Sequence, residues 1–402
     1  MLGTAFAPWP SFTEEESEAV ARVLLSNRVN YWTGDECRQF EREFAAWAGC
    51  GHAIAVANGT VALDLALKGL GIGPGDEVVV TPRTFLASVT CVANAGATPV
   101  FADVDKDSGN LTAETIAAVL TERTRAVIVV HLAGWPADLD PIMALANARG
   151  LKVIEDCAQA HGARYRGRSV GAIGHVGAWS FCQDKIMSTG GEGGMVTTND
   201  PDLWSRMWSF KDHGKSWDAV YERQHPPGYR WIHESIGTNW RMLEMQAVIG
   251  RIQLARMAEW SRLRQHNADI LCAALRPFAV AGGPVRLPEL GAGPAGDGAV
   301  SQHANYKFYF HVVPDRLKPD WSRQRLVDEI AAHGVPCQVG SCSEVYLEKA
   351  FEGTGWRPAA PLPVAHELGE TSVLLLVHPT LSEVEMNRAA TVTAQVLEAA
   401  RL

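Results

Sequence analysis

One lysine stands between a short apolar run and a cluster of glycines. Lys185 follows the run Trp179–Phe181 and precedes the glycine-rich stretch 190–194. A lysine at a tight junction between a strand and a loop can be held in an apolar pocket, where its amine becomes a usable nucleophile toward an aldehyde. Alone, the feature is weak, because a lysine beside glycines is usually a solvated loop residue. Its interpretation depends on what other stretches supply.

Three other stretches supply groups that such a lysine would need. Asn58-Gly59-Thr60 lies between a predicted strand and a predicted helix, where backbone N–H groups and the helix dipole attract an anion. Asp156 ends a buried run, and a carboxylate there can hold a proton on a pyridine nitrogen. Phe85 follows another predicted strand and could stack on a flat ring. Each also has a plainer interpretation, helix capping for the polar residues and core packing for Phe85.

Taken together, these groups match the needs of one cofactor. A phosphate cradle, a carboxylate for a ring nitrogen, a stacking ring and a Schiff-base lysine are what pyridoxal 5′-phosphate (PLP) requires. We therefore predict PLP as the cofactor, with Lys185 and Asp156 as the catalytic residues.

The elements that must position these residues alternate between residues 50 and 200. Short β-rich runs are separated by stretches with apolar residues at helical spacing, which predicts an α/β fold with mainly parallel strands covered on both faces. The predicted helix that follows Asn58 runs to Leu70. The predicted strands are 54–56, 78–80, 99–101, 126–131, 152–155, 176–181 and 195–198.

The remainder of the chain predicts a smaller α+β domain. A long amphipathic stretch, 242–264, could be a helix that bridges two domains, and residues 285–300 are rich in Gly, Pro and Ala, which favours an exposed loop. A strand over 306–313 and helices over 323–332 and 383–401 complete the prediction. We place the large domain at residues 1–265 and the small domain at residues 266–402.

Composition excludes several classes of protein. The 402 residues include 47% hydrophobic and 20% charged residues, with a net charge of -9, which argues against a nucleic-acid surface. No stretch of the length and apolarity of a membrane span appears, and the first ten residues do not resemble a signal peptide. The eight cysteines are scattered, without Cys-x-x-Cys, so we expect thiols in a reducing cytoplasm and no metal site.

Several motifs in combination resemble the DegT/StrS-type sugar aminotransferases, a family of fold-type-I PLP-dependent enzymes. The resemblance extends over roughly residues 10 to 400. The motifs that carry it are Asn58 to Leu63, Gly71 to Val78, Gly96 to Phe101, Glu155 to Gly162, Ser180-Phe181 with Lys185, Gly190 to Gly194, and Asn239 to Met242 with Gln246-Ala247.

The resemblance implies a role for each matching position. Lys185 would form the Schiff base with PLP, and Asp156 would partner the pyridine nitrogen. The other implied cofactor-binding positions are Gln159 on the hydroxyl side of the ring, Phe85 for stacking, Gly59, Thr60 and Ser180 for the phosphate, and Asn239 reaching the phosphate from a neighbouring subunit. A homodimer with shared active sites follows from that last position.

The implied activity is transfer of an amino group from glutamate or glutamine to a keto sugar, with a nucleotide-linked sugar favoured. The product would serve surface-polysaccharide or natural-product synthesis. The acceptor stays open, because Cys182-Gln183-Asp184 replaces the histidine-containing approach of many relatives, and Trp135 and Tyr31-Trp32 are bulky. A keto cyclitol or another cyclic ketone without a nucleotide is the alternative acceptor.

Other activities fit less well. Lys185 argues against a PLP-dependent sugar dehydrase, since such relatives carry histidine there. A PLP sensor without catalysis would need a partner arm or a DNA-binding arm, and none is visible. Gly214-Lys215-Ser216 resembles the end of a P-loop, but the preceding glycine spacing and strand are missing.

Overall fold

The structure is a computed structural model that describes residues 6–288, 290 and 300–402. Its helices are α1 (Glu14–Leu25), α2 (Glu36–Ala48), α3 (Gly59–Leu70), α4 (Ala87–Asn94), α5 (Ala113–Ala117), α6 (Leu139–Arg149), α7 (Pro201–Lys211), α8 (Trp217–Tyr221), α9 (Glu244–Leu275), α10 (Arg323–Ala332), α11 (Pro363–Thr371) and α12 (Glu383–Ala400).

The strands form one large sheet, one small sheet and one hairpin. In chain order they are β1 (His52–Val56), β2 (Glu77–Val80), β3 (Thr98–Phe101), β4 (Thr124–Val130), β5 (Lys152–Asp156), β6 (Arg164–Tyr165), β7 (Arg168–Ser169), β8 (Val176–Ser180), β9 (Gly194–Thr198), β10 (Val285–Arg286), β11 (Phe308–Val312), β12 (Cys337–Gln338) and β13 (Ser372–Leu375).

The large sheet has the strand order β1-β9-β8-β5-β4-β2-β3. All of its strands run in one direction except β9, which pairs antiparallel with β8 and with β1. The exception has a local cause, because residues 181–193 join β8 to β9 without a helix, and a parallel return requires a long crossover. The predicted α/β class with a mainly parallel sheet is confirmed.

Alternation along the strands divides the core of the large sheet between its two faces. Val78 and Val80 pack into one apolar cluster, whereas Val79 between them packs into the cluster on the opposite face. Both faces are therefore covered, as period-two side chains of a buried strand require.

The small sheet has the order β10-β11-β13-β12 with antiparallel pairing throughout, and α10 and α12 pack beside it. The strand over 306–313 and the helices over 323–332 and 383–401 are present to within a few residues. The expected loop at 285–300 is wrong at Val285–Arg286, because that pair forms β10 against β11. Residues 289 and 291–299 of that segment lie outside the described residues.

The long helix α9 connects the two sheet regions. Its first half contributes Ala247, Leu254 and Met257 to the core of the large sheet, and its second half contributes Ala268 and Leu271 to the core of the small one. The boundary we predicted at 265/266 falls inside this helix, and the division into two domains stays a prediction. Among the described residues, no helix combines the length and the apolarity needed to cross a membrane.

Candidate active site

The predicted site residues converge on the carboxyl edge of the large sheet. Gly59 and Thr60 follow β1, Phe85 follows β2, and Asp156 ends β5. Ser180 ends β8 and Lys185 follows it. Because these strands all point the same way, their carboxyl ends meet at one edge, which is where open α/β sheets bind ligands.

Asp156 is held in place before any ligand arrives. Its side chain is 5% exposed, its Oδ2 accepts a hydrogen bond of 2.7 Å from Ser88 Oγ, and its Oδ1 accepts one of 3.1 Å from the N–H of Ala158. No helix starts here, so the capping interpretation of Asp156 does not apply. A buried, oriented carboxylate of this kind can pair with a protonated ring nitrogen.

The neighbouring Glu155 has a structural role. Its carboxylate accepts hydrogen bonds from the N–H groups of Gly171, Ile173 and Gly174, and from His131 Nε2 at 3.0 Å. His131 Nδ1 accepts from the N–H of Ala137, so the other ring nitrogen carries the proton. These hydrogen bonds hold the pKa of Glu155 below its usual value against the effect of burial. The side chains of His131, Glu155 and Cys157 lie close enough together to hold a metal ion. Hydrogen bonds within the protein already account for the position of the Glu155 carboxylate.

The start of α3 forms an anion cradle. Asn58 Oδ1 caps the helix by accepting from the N–H of Val61, and the Asn58 carbonyl accepts from the N–H of Ala62. Among the described residues this leaves the N–H groups of Gly59 and Thr60 without an acceptor. The helix-capping and the anion-binding interpretations of this motif are therefore compatible, since the capped helix presents its free N–H groups to an anion.

Close packing makes the glycine at position 59 necessary. A Cβ on Gly59 would lie 2.5 Å from Ser180 Cβ, so any side chain there would push β8 away from the helix start. The same approach brings the hydroxyl of Ser180 to the cradle. The structure thus brings Gly59, Thr60 and Ser180 together, and their binding of a phosphate stays a prediction.

Phe85 and Gln159 complete the ring side of the site. Phe85 is 67% exposed, which rules out its interpretation as a core residue and leaves its ring free to stack. Gln159 is 8% exposed, and its Oε1 accepts a 2.7 Å hydrogen bond from the N–H of Ala133. That bond orients the side chain, and within the described ranges its amide nitrogen has no acceptor.

Lys185 is half-buried and lies beside an aromatic face. Its Nζ is 5.4 Å from the ring centroid of Tyr306, whose hydroxyl donates a 2.5 Å hydrogen bond to Asp184. The carbonyl of Lys185 accepts a 2.8 Å hydrogen bond from Trp9 Nε1. The main chain of the lysine is therefore anchored while its amine stays available.

Among the described residues, the side chain of Asn239 forms no hydrogen bond with the site residues above. It is exposed, and its Oδ1 accepts only from the nearby N–H of Arg241 at 3.4 Å. The following residue, Trp240, accepts a hydrogen bond from the N–H of Ala57, just ahead of the cradle. The predicted contact of Asn239 with a neighbouring subunit is not tested by a single chain.

The sequence reasoning missed several residues of the site. Ser88 could have been found, because it lies one helical turn after Phe85 and so faces the same edge. Trp9 and Tyr306 gave no signal, since they reach Lys185 only through tertiary contacts, and neither did Arg264, which lies over the Trp9 ring. His161 is fully buried between Trp179 and Phe181, and burial lowers its pKa to about 3.

The geometry fits PLP. An anion cradle that a Cβ would fill, an oriented buried carboxylate, an exposed aromatic ring and an available lysine amine all lie along one edge. The cradle would hold the phosphate, Asp156 the ring nitrogen, and Lys185 the aldehyde carbon.

Comparison with known proteins also indicates a PLP-dependent aminotransferase. The model of the DegT/DnrJ/EryC1/StrS aminotransferase family matches residues 10–394. The chain is 42% identical to a dTDP-3-amino-3,4,6-trideoxy-alpha-D-glucose transaminase of Streptomyces venezuelae, over 93% of this chain and 90% of that one. It is 35% identical to a UDP-N-acetyl-3-dehydro-alpha-D-glucosamine 3-aminotransferase of Acidithiobacillus ferrooxidans, over 98% and 96%. An aminotransferase structure from Psychrobacter cryohalolentis superposes with a TM-score of 0.95 at 61% identity, covering 98% and 99% of the two chains.

Proposed function

The chain belongs to the DegT/DnrJ/EryC1/StrS aminotransferase family, and from this membership we propose that it moves an amino group from glutamate or glutamine to a nucleotide-linked keto sugar. It is a PLP-dependent aminotransferase of amino-sugar biosynthesis. The choice of a nucleotide-linked acceptor is supported by the two relatives above, whose names carry dTDP and UDP sugars.

The observation that carries the proposal is the convergence of Lys185, Asp156 and the Gly59 cradle on one sheet edge. When bound, PLP supplies an electron sink for the carbanion formed at the donor's Cα. Lys185 Nζ would hold the cofactor at its aldehyde carbon between turnovers and would accept the proton that leaves the donor's Cα. The Asp156 carboxylate holds a proton at the ring nitrogen, and Gln159 orients the hydroxyl side of the ring.

The remaining residues bind and orient. The N–H groups of Gly59 and Thr60 and the hydroxyl of Ser180 hold the phosphate, and Phe85 covers one face of the ring. Their common task is to keep the reacting carbon opposite Lys185 Nζ, so that proton transfer is an intramolecular step.

The acceptor can be tested directly. Purified protein loaded with PLP is incubated with glutamate or glutamine and with nucleotide-linked 3- and 4-keto sugars, a keto cyclitol, or linear oxo acids. We expect amino-sugar product only with the nucleotide-linked ketones. Product from linear oxo acids alone would refute the proposal, and product from the cyclitol alone would favour the alternative acceptor.

A lysine variant is the control for that assay. We expect Lys185→Ala to bind PLP through the cradle and Asp156, but to lack the long-wavelength absorbance of the lysine-bound cofactor and to release no oxo acid. If the variant keeps that absorbance, another lysine carries the cofactor.

We also propose a homodimer in which Asn239 reaches the phosphate of the neighbouring subunit. The segment before Asn239 exposes large apolar side chains, with Tyr229 at 73%, Trp231 at 81% and Ile236 at 91% exposure. Exposed apolar side chains so close together are typical of a surface that is covered in an assembly.

Mixing two inactive variants tests the shared site. In a dimer of Lys185→Ala with Asn239→Ala, one site receives an intact lysine from one chain and an intact asparagine from the other. Activity should recover on mixing after mild dissociation. If it does not recover although mixed dimers form, each site is built from one chain.

A cytoplasmic location is part of the same proposal. Cys37, Cys91, Cys157 and Cys337 are buried as thiols inside the fold. Buried thiols of this kind are typical of a reducing compartment.

A further inference from the structure

A second concave region lies beside the cofactor edge. A cavity of about 670 Å³ separates the carboxyl edge of the large sheet from strand β11 of the small sheet. We call it the β11 cavity. Its lining includes Arg83, Gly109, Leu132, Trp135, Lys307 and Tyr309.

The strand itself explains which side chains face this cavity. Phe308, Phe310 and Val312 pack into the core of the small sheet. Because successive side chains of a strand point to opposite faces, the alternate residues Lys307, Tyr309 and His311 face the cavity. All three line it.

Arg83 brings a buried cation to the cavity. Its side chain is 2% exposed, stacks 5.7 Å from the ring centroid of Tyr309 and donates a hydrogen bond to the hydroxyl of Ser343. Within the described ranges no carboxylate lies at ion-pair distance from it, and burial lowers its pKa. A buried guanidinium without an acidic partner is costly unless an anion binds beside it.

Lys307 is a second such cation. Its Nζ lies 4.9 Å from the ring centroid of Tyr306, and no carboxylate of the described residues lies at ion-pair distance from it. Burial lowers its pKa to about 8, with Arg264 and Lys185 acting in the same direction and Asp184 in the opposite one. The amine is therefore mostly charged at neutral pH, and an anion bound beside it would stabilise this charge.

The other charges around the cavity do not neutralise these two. Asp107 already pairs with Arg286 at 2.7 Å, and Asp269 accepts from Gln265 at 2.8 Å. His311 is neutral, since burial lowers its pKa to about 2. The cavity thus keeps two cations that form no ion pair with a carboxylate in the described part of the chain, although Asp184 acts on Lys307 from a longer distance.

We propose that Lys307 and Arg83 bind an oxyanion of a substrate in the β11 cavity, either the phosphate of a glycosyl-phosphate acceptor or a carboxylate of the amino donor. A phosphate and a carboxylate can each accept paired hydrogen bonds from a guanidinium, and each carries the negative charge that pairs with an ammonium.

The position relative to Lys185 suits this role. Lys185 Nζ and Lys307 Nζ both lie over the ring of Tyr306, at 5.4 and 4.9 Å from its centroid. They are no farther apart than the sum of those distances, so one substrate molecule can reach both. This inference rests on the proposed function, because it assumes that the substrate reacts at Lys185.

Calorimetric titration of the PLP-loaded protein tests the proposal without turnover. The probes are UDP and dTDP for the phosphate, and 2-oxoglutarate for the carboxylate. In Lys307→Met we expect the affinity for at least one class of probe to fall about tenfold or more, because a charge-assisted hydrogen bond is lost. Lys307→Arg should restore most of that affinity.

Lys152→Met is the matched control. Lys152 is exposed at the amino end of β5, at the opposite edge of the sheet, and its replacement should leave all affinities unchanged. Circular dichroism and the absorbance of bound PLP should be the same in all variants, which separates lost binding from lost folding.

The outcomes decide between the sources of the anion. A loss confined to UDP and dTDP assigns the cavity to the acceptor, a loss confined to 2-oxoglutarate assigns it to the donor, and loss of both shows a shared site. Wild-type affinity of Lys307→Met for every probe would overturn the inference. The proposed function fails separately, if wild-type protein forms no amino sugar although it binds these anions.

Discussion

At the scale of single residues, the side chain of Asp156 is already oriented before a ligand binds. The hydrogen bonds from Ser88 and Ala158 hold both carboxylate oxygens, so little conformational entropy is lost when a ring nitrogen binds. The end of β5 supplies the position, and the first turn of α4 supplies the hydroxyl that aims it.

Replacing this carboxylate should slow the chemistry more than it weakens the fold. We expect Asp156→Asn to lower the single-turnover rate with glutamate by about 10–100-fold, because a hydrogen bond to a charged group contributes about 1.5–3 kcal/mol. The rate is followed by the change in cofactor absorbance after rapid mixing.

Two variants that each remove a hydroxyl group serve as comparisons for Asp156→Asn. Ser88→Ala, which removes only the aiming hydroxyl, should have a smaller effect in the same direction. Thr90→Ala removes a hydroxyl of the same helix that bonds the carbonyl of Leu86, and it should behave as wild type. An Asp156→Asn protein as fast as wild type would mean that another group holds the ring nitrogen.

At the scale of elements, residues 6–10 connect the small sheet region to the lysine loop, and we call them the N-terminal strap. Glu385 Oε1 accepts from the N–H of Ala7 at 2.6 Å, and Thr380 Oγ1 donates to the carbonyl of Pro8 at 2.9 Å. Trp9 then donates to the carbonyl of Lys185 and stacks on His378. The strap thus holds the lysine loop against the C-terminal part of the chain.

Removing the strap's last hydrogen bond should loosen that loop. We expect Trp9→Phe to raise the dissociation constant for PLP by about 2–10-fold, since a net hydrogen bond contributes about 0.5–1.5 kcal/mol. Trp260→Phe alters the ring that Trp9 meets edge-on at 5.1 Å but keeps the hydrogen bond, so it is the matched control. Equal losses in both variants would point to ring packing as the cause.

Local patterns predicted the elements but not their tertiary contacts. The predicted strands 152–155, 78–80 and 176–181 end at or close before Asp156, Phe85 and Lys185, and the structure brings those strand ends together at one edge. The contact between Trp9 and Lys185 joins positions 176 residues apart, and no spacing rule encodes it. The antiparallel β9 followed from a connection without a helix, a signal that was present in the sequence and was not used.

At the scale of the whole molecule, buried histidines make stability depend on pH. His161, His311 and His378 are each at most 5% exposed, and burial lowers their pKa values to about 3, 2 and 3. Below pH 6.5 the unfolded chain binds protons at these positions and the folded chain does not. Stability should therefore fall as the pH falls, by up to about 1.4 kcal/mol per pH unit for each histidine.

Urea unfolding of the PLP-free protein at pH 7 and pH 5.5 measures this effect, and the midpoint should be lower at pH 5.5. His161→Phe should reduce the difference, whereas His333→Gln, which removes an exposed histidine, should not. A midpoint that is unchanged or higher at pH 5.5 would contradict the assignment of these histidines as neutral in the folded state.

Helix α9 has a consequence for how this chain can be divided. Its 32 residues extend roughly 48 Å and contribute side chains to both hydrophobic cores. A break between residues 265 and 266 would sever the helix. Ala268 and Leu271 would then lie on one fragment and Leu254 and Met257 on the other, so each fragment would lose part of the helix that packs its core. We expect neither fragment to be obtainable as a well-behaved protein, so grafting a foreign C-terminal region onto this enzyme would have to keep α9 whole.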